Sequence, residues 1–138
     1  MSLKKPSNPK ERNLVKGAMR RVFSRSELRK QAVDRATIEH TDKERPRVTK
    51  WVYCSACGQI FPKYLAQVDH IMPIVPISKT LEDMSWDELV DRLWCDIDNL
   101  TVLDKDCHKA KSKEENVERK ILKKSKANAS KLLITKRT

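Results

Sequence analysis

Apolar positions recur along this chain with two different periods, and the change of period separates its parts. Residues 1–10, "MSLKKPSNPK", carry two prolines and no periodicity, and read as a disordered basic tail lasting to about residue 11. From residue 12, Leu14, Ala18 and Val22 recur at helical spacing, with Met19 and Phe23 widening the stripe. "SRSE" then interrupts. Ser24 with Glu27 three residues on fits a capping box, so a second helix is expected from residue 25, carrying Leu28, Ala32 and Ala36. Residues 40–50 are a polar connector. Beyond it, "AQVDHI" (66–71) and "DNLTVLD" (98–104) read as short strands. Between them lie an irregular apolar loop, "IMPIVPIS" (71–78), and an amphipathic helix over about 86–94. That helix has Trp86, Leu89 and Leu93 on its stripe and a capping box from Ser85 to Glu88. Residues 105–127 read as a long helix and 128–138 as a basic C-terminal tail. The sum is an α+β domain, mostly helical. A basic helical arm with its connector spans 12–50, and the main domain spans 51–127.

The most apolar stretch, "IMPIVPI", is short and holds two prolines, so no membrane span is expected. No secretory signal pattern opens the chain, and a cytoplasmic protein is expected. Charge changes this picture more than length does. Residues 1–50 carry 15 basic and 6 acidic side chains, residues 51–104 carry 3 and 9, and residues 105–138 carry 12 and 4. Two basic arms flank an acidic centre. The arms suit a polyanion, most simply nucleic acid. The acidic centre holds phosphate poorly unless cations sit there, which is the combination a metal-dependent enzyme acting on nucleic acid needs. Arg20, Arg21, Arg25 and Arg29 on the arm are candidates for backbone contact, or else a solvated helix face.

Four cysteines, Cys54, Cys57, Cys95 and Cys107, favour metal ligation over disulfides in a reducing compartment. Cys54-x-x-Cys57-Gly58 is the turn of a zinc knuckle. Two thiolates chelate from one tight turn, and Gly58 permits the positive φ that closes it.

Three polar pairs now stand in order: Asp69-His70 on a strand, Asp98-Asn99 leading into the next, and Cys107-His108 at a helix start. With the knuckle ahead of them, "VDHIMP", "DNL" and "CHKAKSKE" resemble the HNH endonucleases, and most closely the small phage-borne ones. The resemblance covers about residues 51–118. It implies a ββα-metal core with a zinc knuckle, preceded by the basic helical arm and followed by a long basic helix. It implies a phosphodiester hydrolase acting on DNA, most simply double-stranded, with low sequence specificity. Carried over position by position, His70 is the general base, Asp69 and His108 ligate a catalytic divalent cation, and Asn99 fixes the loop and orients the base. Mg²⁺ or Mn²⁺ is the expected cation, with Zn²⁺ or Ni²⁺ as alternatives. Lys111 would meet the phosphate backbone. Terminase or other packaging proteins of a phage are possible partners, the host cytoplasm then being the compartment.

Phosphodiester hydrolysis explains these residue types. A histidine near neutral pKa can take a proton from water, and a divalent cation can neutralise charge on the phosphate and the leaving 3′ oxygen. Each residue also has a plainer role: His70 as a buried structural histidine, Asp69 or Asn99 as turn formers, His108 as a zinc ligand. A strand alternates its side chains, so adjacent Asp69 and His70 would point to opposite faces unless the strand ends or twists there. The structural zinc would take Cys54, Cys57 and Cys107. The family usually has a further cysteine where Asp104 stands here. Asp104 is then the fourth ligand, since carboxylate oxygen binds zinc, with Cys95 as the alternative. A non-catalytic zinc-knuckle nucleic-acid-binding protein would explain the arms and cysteines, but not the Asp69, His70 and His108 set. A zinc-stapled structural protein of a phage particle is a third class.

Overall fold

A computed structural model describes residues 8–136, with side chains as far as residue 133. It shows an α+β fold, mostly helical. Of the disordered tail expected over residues 1–11, residues 1–7 lie outside the described residues, and the remainder is corrected: Asn8 is a helix cap and residues 9–11 are helical. Helix α1 (Pro9–Phe23) begins earlier than its apolar pattern suggests. Asn8 accepts from the Lys10 amide as N-cap, and Pro9 occupies the first turn, where no N–H is needed.

The stripe on α1 is corrected by its packing. Leu14 and Val22 are 65% and 62% exposed, while Phe23 is buried and Met19 packs beside it. The second cap is corrected as well. Ser24 ends α1, its hydroxyl donating to the Arg21 carbonyl. Ser26 is the true N-cap of α2 (Glu27–Ala36), accepting from the Arg29 amide.

α2 leads into a strand the pattern did not show, β1 (Thr37–Glu39). It pairs antiparallel with β2 (Lys50–Tyr53), which pairs with β3 (Ile60–Pro62). β4 (Gln67–His70) pairs antiparallel with β5 (Leu100–Leu103), Asp69 opposite Thr101 and His70 opposite Leu100. Between β4 and β5 come the irregular loop and α3 (Trp86–Leu93), which Ser85 caps as expected by accepting from the Glu88 amide. β5 runs into α4 (Lys105–Lys136), one helix of 32 residues. It continues through 128–136, the segment whose composition suggests a tail. Among the described residues, no helix is long and apolar enough to cross a membrane.

The core is two joined clusters. Phe23, Ile74, Val75, Leu89, Leu93 and Leu100 gather under α1 and α3. Val33, Val52, Ala66 and Val102 pack where α2 crosses the strands, and Val68 touches both groups. Burying the loop after β4 strands a row of backbone carbonyls, which need donors. Arg92 supplies them to Ile74 (2.8 Å) and Pro73 (2.7 Å). Arg119 supplies them to Val75 (2.5 Å) and Pro76 (3.1 Å), and Lys126 to Ser78 (2.8 Å).

Candidate metal centre and adjoining cleft

Cys54 and Cys57 sit on the tight turn between β2 and β3. Gly58 has φ +74, which an L residue rarely adopts, and its amide donates to the Cys54 carbonyl at 2.9 Å. The turn is fastened to β5 by Ser55, whose amide donates to the Val102 carbonyl at 3.0 Å. That brings the knuckle to the start of α4. The ligand atoms of Cys54, Cys57, Asp104 and Cys107 all lie within 4.8 Å of one another. Four donors around tetrahedral zinc stand about 3.8 Å apart when they are thiolates, so a small contraction suffices. These four residues could hold a metal ion. Cys95 instead packs into the apolar cluster under α3, apart from this set.

Asp104 has two jobs at once. Its Oδ1 accepts from the Cys107 amide at 2.7 Å, so it acts as the N-cap of α4. Its Oδ2 lies 3.1 Å from the Cys57 sulfur. The Cys107 amide first, and the Cys57 thiol after it, hold the carboxyl down to about 2. Burial, and then the crowding of Cys54 and Cys57, pushes the Cys107 thiol up to about 12. Burial also acts to raise Cys54, but the amides of Asp104, Cys57 and Ala56 aimed at its sulfur bring it below its ordinary value. Crowded thiols that resist a second negative charge are what a divalent cation relieves.

A cleft of about 640 Å³ opens beside this centre, walled by α1, α4 and the loop after β4. Asp69 and His70 both line it. They do face different neighbours, as strand alternation requires. Asp69 turns to α4, where the Lys111 ammonium donates to its Oδ2 at 2.5 Å. His70 turns inward, 5.3 Å from the Phe23 ring, with Nε2 placed 2.8 Å from the Leu93 carbonyl. β4 ends there, so the cleft passes both side chains.

A carbonyl oxygen only accepts, so His70 Nε2 carries the hydrogen. In the neutral ring Nδ1 then holds the lone pair. Burial lowers the His70 pKa, against the raising effects of Leu93 and Asp69, and the ring is neutral near pH 7. Asn99 holds the chain just past His70. Its carbonyl accepts from the Ile71 amide at 2.8 Å, its Oδ1 from the Met72 amide at 2.9 Å, and its Nδ2 donates to the Met72 carbonyl at 3.4 Å.

Lys111 also reaches the His70 carbonyl at 2.6 Å and the Glu115 carboxylate at 3.2 Å. Three oxygens thus converge on one positive charge, rather than Lys111 standing free to meet phosphate. His108 lies one turn earlier on the same face of α4, and its ring makes no hydrogen bond or ion pair among the described residues. Asp69 is therefore tied to α4 through Lys111, not through His108.

Of the four arm arginines, only Arg20 lines this cleft. Arg29 donates to the Ala66 carbonyl at 3.4 Å, and Arg21 and Arg25 flank a shallow pocket at Trp94. The cleft's other cations are Lys16, Lys79, Arg119, Lys123 and Lys126, none of them singled out from the sequence, and of these Lys79 pairs with Glu88 at 3.1 Å. Arg119, Lys123 and Lys126 recur at spacings of three and four, a signal that marks one helix face but not what it faces. Burial, then Arg20 and Arg119, lowers the Lys16 pKa, a positive potential that an anion would relieve. Compared with models of known families, with curated proteins and with solved structures, the chain matches none of them.

Proposed function

We propose that this chain is a divalent-metal-dependent endonuclease that hydrolyses phosphodiester bonds of double-stranded DNA, with β4, β5 and the first turns of α4 as its ββα-metal core. The observation that carries the proposal is the placing of a buried His70 beside Asp69 on one cation-rimmed cleft. In this role His70 takes a proton from water at Nδ1, its other nitrogen being held by Leu93. Asn99 keeps the chain after His70 from shifting. Arg20, Lys16 and Lys123 hold the phosphodiester.

The oxygens of Asp69 and Glu115 that now gather around the Lys111 ammonium are donors suited to a hard cation, and His108 stands nearby on α4. Asp69 and His108 would hold such a cation, which would supply charge neutralisation for phosphodiester hydrolysis. Cys54, Cys57, Asp104 and Cys107 would hold a structural zinc, which would fasten the start of α4 to the knuckle.

The test is plasmid cleavage with Mg²⁺ or Mn²⁺, wild type against His70→Ala, both checked for folding by circular dichroism. Metal-dependent nicking that falls at least a hundredfold in the variant is expected. Equal rates would refute the role of His70. Gel retardation without any cleavage, with or without metal, would instead favour a non-catalytic zinc-knuckle binder. The ion pair between Asp69 and Lys111 is the observation that favours that second reading.

A further inference from the structure

A second basic surface lies away from the Asp69–His70 cleft. A groove of about 720 Å³ runs between the first turns of α2, the connector entering β2, and the turn after β3. It shares no lining residue with the cleft. Six cations line it: Arg25, Arg29, Lys30, Arg47, Lys50 and Lys63. Only Glu27 and Asp34 oppose them.

Three of the six are already engaged. Lys63 pairs with Asp34 at 3.0 Å, Lys50 pairs with Glu39 at 2.7 Å, and Arg29 donates to the Ala66 carbonyl at 3.4 Å. These contacts shape the walls. Arg25, Lys30 and Arg47 make no ion pair among the described residues. They come from separate segments, before α2, within it and in the connector, yet they border one depression. Beside them Tyr64 presents a ring that is 70% exposed, its hydroxyl within 3.4 Å of the Arg45 guanidinium. Lys30 shares the Asp34 carboxylate's field with Lys63, while Arg25 and Arg47 face no carboxylate within ion-pair distance among the described residues. An exposed aromatic among such cations suits a phosphate backbone with its sugars and bases.

We infer that this groove is a second nucleic-acid contact, which grips the phosphate backbone of the strand flanking the segment held in the cleft. Arg25, Lys30 and Arg47 bind phosphates, and Tyr64 packs on the sugar or base edge between them. The inference rests on the proposed nucleic-acid partner, but not on catalysis.

The experiment is fluorescence anisotropy of a labelled duplex of about 30 base pairs across a series of salt concentrations. Wild type is compared with the triple variant Arg25→Ala, Lys30→Ala, Arg47→Ala. A control of equal charge, Lys43→Ala, Lys120→Ala, Lys124→Ala, removes cations that line neither surface. The groove variant should bind at least tenfold more weakly, and the slope of log K against log salt should drop by about 3. The control should shift the slope by less than half of that. Tyr64→Ala should weaken binding with the salt slope unchanged. Groove and control variants that behave alike, or a groove variant with wild-type affinity and slope, would overturn the inference and leave the cleft proposal standing. Wild-type protein that binds no duplex at all would overturn both.

Discussion

The Lys111 ammonium sits 2.5 Å from Asp69 Oδ2, tying the strand β4 to α4. The same nitrogen also engages the His70 carbonyl and Glu115, so a lysine gathers the oxygens that a cation would use. A divalent cation on Asp69 must therefore displace it. Lys111→Met keeps the packing of the alkyl stem and removes the competing charge. It should tighten Mn²⁺ binding about five- to tenfold, read by electron paramagnetic resonance without substrate. Unchanged or weaker binding would show that Asp69 is not a ligand.

His70 makes stability depend on acid in a defined window. Its folded pKa lies below its ordinary value of about 6.5, chiefly through burial. Below that value the unfolded chain takes up the proton more readily than the folded one, so stability falls as pH drops. The carboxylates held low, Asp34, Glu39, Asp83 and Asp104, act below about pH 4.5. Unfolding free energy from denaturant titrations between pH 5 and 7 should therefore rise with pH. His70→Gln should flatten that rise. For the same reason, the acid limb of any cleavage activity should lie below pH 6.5.

The Cys54, Cys57, Asp104 and Cys107 set should bind one zinc per chain, measured by elemental analysis after dialysis. Removing the metal with a strong chelator should cost on the order of 3 kcal/mol or more. Asp104→Cys should keep the zinc and bind it more tightly. It gives up a carboxylate cap on α4, a loss of about 1 kcal/mol seen only in the metal-free protein. Asp104→Ala should lose both cap and ligand. Equal zinc content in Asp104→Ala and wild type would remove Asp104 from the ligand set.

Arg92 donates from two nitrogens to two carbonyls of the buried loop after β4. Arg92→Ala leaves both acceptors without a partner and should destabilise the fold by about 1–3 kcal/mol, read as a shift in the denaturation midpoint. Arg92→Lys should recover little, because one ammonium does not reproduce the fork. Lys126→Ala, at an exposed end of the same loop, should cost a few tenths of that.

Much of the fold follows from short-range signals. Ser85 before an amphipathic run is a helix start, and the structure caps α3 there. Alternating apolar residues around Val68 and Val102 are strands, and they pair. The same kind of reasoning failed at α1, where Leu14 and Val22 satisfy a helical period but face outward. A period shows that a helix has a stripe. It does not say which neighbour will cover it.

The candidate site divides in the same way. Cys-x-x-Cys-Gly is a local device, complete within five residues, and the sequence alone determined the turn and its positive φ. The sequence also put Asp69, His70 and Asn99 at strand ends, where a short strand leaves them. Only the tertiary structure decided that Asp104 faces two ways, capping α4 with one oxygen and meeting the thiols with the other. Only it decided that Lys111 closes on Asp69, and that Lys16 and Arg20 share a cleft with Arg119 and Lys123, a hundred residues on. Those relations depend on how α1 and α4 dock across the strands. Docking is set by the sum of many buried contacts and carries no signal in the residues that happen to meet.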